Sequence, residues 1–329
     1  MSKVFKQLRS HNIRSLWGQN SVVVLWLLLL LVLNVIQADY ESVSELRQIV
    51  ANNTALMVTV AGLSLVMIGG GIDFSIGYQM SLTAVVISKL SVAQQPEWMI
   101  VSGALCTGFI CGLFNGVLVS YLEIVPFAAT IATQIIFRGI SYLVSGGSMV
   151  TNLSTIIRGI TRSYFLKIRA DFWIGVFAFL FLFVILRLTL QGKALRAIGL
   201  NEDQAKRSGL PVKKIKCEAY CIAGVFYSIA TMILISRRGY AGSETGIGME
   251  ITAIIAAYIG GVLSLAESQN ILLLFLGTMI VAAVEGSLPK VGITTYLQYI
   301  ITGMILIITM LLHKKRKNNT YTQKNKQKE

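Results

Sequence analysis

The chain has 329 residues, 54% hydrophobic and only 13% charged, with 29 Lys and Arg against 15 Asp and Glu for a net charge of +14. A soluble domain carries about a quarter charged residues, so this chain lacks the polar groups to cover a water-facing surface and is read as an integral membrane protein. The basic excess is read as a topology signal and not as a nucleic-acid footprint, because Lys and Arg of polytopic chains collect on inside loops.

The first apolar run, SVVVLWLLLLLVLNVIQA over 21–38, carries no charge and is long enough to cross the roughly 30 Å hydrocarbon core. No small-x-small cleavage site follows it, so the run is read as a retained helix and not as a signal peptide. Further runs lie near 55–70, 77–93, 98–121, 125–145, 172–191, 218–236, 250–266, 270–288 and 295–312. Their apolarity is continuous, where barrel strands would alternate. The expected fold is therefore an all-α polytopic bundle of about ten transmembrane helices. It comprises a cytoplasmic segment 1–20, a transmembrane domain 21–312 with one large inner loop at 192–216, and a basic tail 313–329. With the N-terminus inside, eighteen Lys and Arg fall on inside segments and nine outside, which favours both termini in the cytoplasm. The tail HKKRKNNTYTQKNKQKE is expected to be disordered and drawn to anionic lipid headgroups.

The second and third runs are joined by VMIGGGIDFSIGYQM, residues 66–80. Glycine weakens a helix by about 1 kcal/mol relative to alanine, and an Asp at a helix centre costs about 2.5–3.5 kcal/mol to insert. Broken backbone at membrane depth is tolerated only against protein or a water-filled cavity. Gly70, Gly71, Asp73 and Ser75 are thus candidates for a gate. Either Asp73 and Ser75 cap the following helix, or Asp73 lines a pathway and touches the hydroxyls of a solute, or it carries a proton or cation. Asn115, Gln134, Arg138 and Glu285 are the other polar groups inside spans. Such groups face a cavity or a partner, so Arg138 and Glu285 are read as pathway or interchain groups, or alternatively as a structural ion pair. Two weak echoes, YIGGVLSLAES at 258–268 of the glycine break and Glu285-Gly286 of Asn115-Gly116, suggest duplicated halves around a central site.

Segment 148–170 holds an outward basic cluster, with Ile156, Ile157 and Ile160 forming the apolar face of a short helix. Its Arg158 and Arg162 either meet an acidic receptor or anchor to headgroups. The four cysteines form no CxxC pair and are read as small apolar filler.

The inner loop QGKALRAIGLNEDQAKRSGLPVKKIK, residues 191–216, contains a punctuated helix. Asn201 caps it, Glu202 and Asp203 suit its N-terminal dipole, Lys206 and Arg207 its C-terminus, Gly209 the left-handed position after it, and Pro211 the stop. A helix this short needs something to pack against, either its own membrane domain or a cytoplasmic partner.

Three stretches carry a resemblance. GGGIDFSIG, GLFNGVLVSYLEIVPFAATIATQIIFRGISYLVSGG and AIGLNEDQAKRSGLPVKKIKCEAYCIAG are similar, in this order, to motifs of the ribose/xylose/autoinducer-2-type ABC importer permeases, across about 50–312. The resemblance implies a permease subunit in a bacterial plasma membrane, without enzymatic activity of its own. Two permease chains, identical or not, would form the pathway, an ABC ATPase would dock inside, and an external solute-binding protein would deliver a sugar or sugar-like solute. Asn201, Glu202, Asp203, Ala205, Arg207 and Gly209 would then form the helix that couples ATPase closure to alternating access. The chain has no GxxxxGK[ST] loop, so no cofactor is expected on it, and ATP and Mg belong to the partner ATPase. Family members carry a Gly-rich late loop where this chain has Ala266, Glu267, Ser268, Gln269 and Asn270, a departure that a non-identical permease partner would accommodate. The alternatives are a permease for a nucleoside or branched-chain amino acid, or an ion-driven secondary transporter. An intramembrane enzyme has little to build on, with no HExxH or GxSxG and histidines only at His11 and His313.

Overall fold

A computed structural model describes residues 53–166, 168–262 and 270–288, with isolated positions between 292 and 307. Segment 1–20, the run 21–38, the late loop 263–269, most of the run 295–312 and the tail 313–329 lie outside the described residues. Eleven named helices occur among the described residues. They are α1 (Thr54–Ile68), α2 (Ile76–Val92), α3 (Glu97–Ser120), α4 (Pro126–Ser145), α5 (Thr155–Gly159), α6 (Ala170–Leu188), α7 (Leu190–Leu200), α8 (Glu202–Arg207), α9 (Val212–Arg238), α10 (Met249–Ile259) and α11 (Ile271–Ser287). Helices α1, α2, α3, α4, α6, α9, α10 and α11 coincide with eight of the expected apolar runs. Of these, α3, α4, α6 and α9 are long and apolar enough to cross a membrane.

Two departures from the expected layout are local. The run 172–191 ends at Leu188, where Thr189 turns extended and accepts from Gly192 N to cap the separate α7. Segment 148–170 is not a single amphipathic helix. The five-residue α5 buries Ile157 and leaves Ile156 exposed, and an antiparallel hairpin follows, β1 (Tyr164–Phe165) and β2 (Ile168–Arg169). The bundle is thus not wholly α. The chain reverses at Leu166, whose φ is +53°, and Ser163 O accepts from Ala170 N at 2.8 Å to close the hairpin base.

The centre of the bundle is α1 and α9. All fifteen residues of α1 are buried, as expected of a helix apolar on every side. Helix α9 packs on α3, α1 and α2. Its seam with α3 is lined by glycines of α3 and by the backbone and small side chains of α9, Ser228 and Cys217 among them. Gly108, Gly112 and Gly116 recur every four residues along α3, and a Cβ at Gly108 would stand 2.2 Å from Gly224 O, at Gly112 2.3 Å from Tyr220 O. Small residues at this spacing let membrane helices approach to backbone contact.

The α1–α2 connection breaks as the glycines predict. Gly70 takes the left-handed conformation at φ +82°, and a Cβ at Gly71 would meet Tyr220 Oη at 2.7 Å. The echo YIGG behaves alike. Helix α10 ends at Ile259 as α1 ends at Ile68, and Gly261 has φ +73°. A second non-helical stretch, 239–248, folds into the bundle between α9 and α10. Gly246 N donates to Ser81 Oγ of α2, and Ser243, Thr245 and Gly246 are buried.

Candidate functional site

The polar residues inside the bundle form separate groups. The first surrounds the break after α1. Asp73 is 1% exposed, and Ser75 and Asn115 are fully buried. Asp73 Oδ1 accepts from Ser75 N at 2.8 Å and from Ser75 Oγ at 2.6 Å. Asn115 Nδ2 of α3 in turn donates to Ser75 Oγ at 2.7 Å. Ser75 occupies the N-cap position of α2, but its side chain makes no capping bond, because the hydroxyl is turned to Asp73. Tyr220 of α9 covers the break and donates to Ile72 O at 3.5 Å. One helical turn deeper, Gln79 Nε2 bonds Gly108 O at the glycine seam. Buried acceptors or hydroxyls of Gln79, Asn115, Tyr227 and Glu250 have no partner among the described residues.

The second group is on α4, which packs on α2 and α3. Gln134 is half-buried and Arg138 exposed. The Arg138 guanidinium lies 5.5 Å from the Tyr78 ring centroid and 5.9 Å from that of Tyr142. Tyr142 donates its hydroxyl to Glu244 Oε1 in the loop before α10. Glu285 lies elsewhere. It is on α11, which packs on α10, α1 and α6, and it accepts from Thr252 Oγ1 at 2.7 Å. Arg138 and Glu285 therefore have different partners and make no ion pair with each other.

The third group is the short helix α8. Asn201 Oδ1 accepts from Gln204 N at 2.9 Å, Gly209 has φ +80°, and Ala205 is buried against the bundle. Glu202 lies between Lys206 of its own helix and Lys216 of α9, at 3.0 Å from each. Beside it, Glu123 of the α3–α4 turn pairs with Lys213 at 2.7 Å. These residues line a cleft of about 260 Å³ with Ser120 at its base. The hydrogen bond and charge of Lys213 hold the Glu123 carboxyl below its ordinary value. Partial burial pushes Glu202 up, but the hydrogen bonds from Lys206 and Lys216 outweigh it and leave it lowered. Asp203, Gln204, Arg207 and Gly209 face outward.

The arginines of segment 148–170 differ among themselves. Arg158 and Arg162 are exposed, whereas Arg169 is engaged with the buried Asp171 at 2.8 Å. Sequence reasoning brought out Asp73, Ser75, Asn115, Arg138 and the α8 residues. It did not bring out Tyr78, Tyr142, Tyr220, Glu244 or the Glu123–Lys213 pair. One signal was available: Gln134, Arg138 and Tyr142 recur every four residues and so share one face of α4.

Residues 46–310 match the family described as branched-chain amino acid transport system / permease component, and the chain belongs to that family of ABC transporter permeases. Among curated proteins it is 26% identical to the ribose import permease protein of Haemophilus influenzae over 302 residues, 91% of this chain and 93% of that one. It is 29% identical to the ribose import permease protein of Bacillus subtilis, over 82% of this chain and 84% of that protein. The autoinducer 2 import system permease protein of Escherichia coli O157:H7 is 28% identical, with 87% and 83% covered. No solved structure matches.

Proposed function

We propose that this chain is the membrane subunit of an ATP-driven, binding-protein-dependent importer for a small sugar or sugar-like solute, a ribose- or xylose-like pentose or autoinducer 2. The relatives support the solute class, since permeases named for ribose and autoinducer 2 align with most of the chain. In this reading it crosses a bacterial inner membrane about ten times with both termini inside. It pairs with a second permease chain, takes solute from an external binding protein, and leaves ATP and Mg to a separate ATPase.

The observation that carries the mechanism is α8. It is a capped helix with its buried face on the bundle and Asp203, Gln204 and Arg207 turned outward. A partner pressing on α8 acts through Glu202 on Lys216, and so on the inner end of α9. Asp73, Ser75 and Asn115 hold the broken α1–α2 connection in shape as a gate element, while Arg138 faces the solute path. Arg158 and Arg162 supply positive charge for the lobes of the binding protein.

Uptake of labelled ribose, xylose, galactose and autoinducer 2 in cells with and without this chain tests the proposal. Loss of one on deletion, restored by the gene, is the expected result. The family's own description favours one second reading, a branched-chain amino acid. Unchanged sugar uptake with lost leucine uptake would select it.

A further inference from the structure

From the group on α4 we infer that Tyr78, Arg138, Tyr142 and Glu244 form a solute-recognition station that reads neighbouring hydroxyls of a cyclic polyol. The inference rests on the sugar-permease reading and adds to it the residues that make contact. Arg138 stands about 18 Å along α4 from Pro126, at about 1.5 Å per residue, toward the end opposite α8. It is exposed on a helix long and apolar enough to span a bilayer. Charged side chains within such helices face a bundle interior or an aqueous cavity, so this face of α4 is turned to a water-filled path and not to lipid.

The cluster is arranged to keep its polar atoms available. Two tyrosine rings hold the guanidinium by its charge, an attraction that uses the cation and not its N–H groups. Arg138 has no ion pair and no hydrogen bond among the described residues, which leaves its fork of donors open. Glu244 is exposed between buried Ser243 and Thr245. It accepts from Tyr142 and likewise makes no ion pair among the described residues. The backbone around it is fixed, because Arg238 donates to Thr245 O and Gly246 N to Ser81 Oγ.

This set suits a carbohydrate. A carboxylate accepts from two adjacent hydroxyls, a guanidinium donates to a hydroxyl or ring oxygen in a planar pair of bonds, and tyrosine rings pack on the C–H face of the sugar ring. A branched-chain amino acid would match the two charges, its carboxylate on Arg138 and its ammonium on Glu244, but would offer no diol, so the ratios among sugars are what the station has to show.

The test replaces the chromosomal copy with Arg138→Gln, Tyr142→Phe, Glu244→Gln or Leu143→Ala. It measures saturating uptake of labelled D-ribose, L-arabinose and D-galactose per molecule of membrane-inserted protein. Arg138→Gln is expected to slow the preferred sugar about tenfold or more, the scale of one lost charge-assisted hydrogen bond. Tyr142→Phe, which removes only an oxygen, and Glu244→Gln are expected to change the ratios among the sugars. Leu143→Ala, at a neighbouring exposed position, leaves rates and ratios unchanged. Equal slowing of all three sugars by the three polar variants, or no slowing, overturns the station while leaving the sugar reading intact. A wild-type chain that moves none of the three sugars overturns both.

Discussion

Two polar groups of the bundle are built in opposite ways. Around Asp73, a carboxylate, a hydroxyl and an amide are sealed from solvent and bonded to one another across α2 and α3. Around Arg138, a cation and a carboxylate stand exposed, with tyrosines as their ring and hydrogen-bond partners among the described residues. Sealed and mutually bonded groups shape the backbone; exposed groups with open donors and acceptors are free to meet a ligand. The difference separates scaffold from recognition without reference to residue type, since both groups centre on charges.

That division can be broken by substitution. The largest expected effect lies in the scaffold, at the glycine seam that Gln79 joins. Gly108→Leu drives a branched side chain into the backbone of Gly224 and should cost about 3 kcal/mol, read as a collapse of membrane abundance and Tm in detergent. Asp73→Ala removes the acceptor for two buried donors and should cost about 1–3 kcal/mol, read as a lowered Tm. Arg138→Gln in the same assay should stay within about 0.5 kcal/mol of wild type. A Tm loss for Arg138→Gln matching that of Asp73→Ala would end the distinction.

The inner face gives smaller effects. Asn201→Ala removes the α8 cap and should cost that helix about 1 kcal/mol, seen as faster amide exchange over residues 202–208 with the membrane helices unchanged. Acidification tests the carboxylates beside it. Glu123 and Glu202 are held below the ordinary glutamate value of 4.5, so their pairs contribute stability that is complete above that value. It is lost only as pH falls through their lowered folded values. Carboxyl NMR titration should therefore show both groups ionised at pH 5, titrating below free glutamate; titration above it would contradict the pairing.

What was legible in the sequence follows how local each interaction is. The α8 helix was readable because Asn201, Gly209 and Pro211 act within a few residues of themselves. Eight of the apolar runs were readable as helices because long apolar runs report the solvent around them. The break at Gly70 and Gly71 was readable because three glycines in an apolar run need a reason. The Tyr142–Glu244 contact joins residues 102 apart, and no period or spacing marks it. Arg138 invited an ion pair with Glu285 on charge alone, but the fold gave each a neutral partner close at hand. The four-residue repeat of Gly108, Gly112 and Gly116 was visible, yet only the position of α9 gives it meaning.

Helix α9 is 27 residues, about 40 Å at about 1.5 Å per residue. One end is tied through Lys216 to Glu202 of α8, and the other through Arg238 to Thr245, next to Glu244. Between them the glycines of α3 meet α9 at the backbone of Gly224 and Tyr220 and at the small side chains of Ser228 and Cys217, which leaves little room to tilt or compress. In mechanical terms α9 is a stiff strut, so a displacement applied at its α8 end would reach its Glu244 end with little of it absorbed on the way.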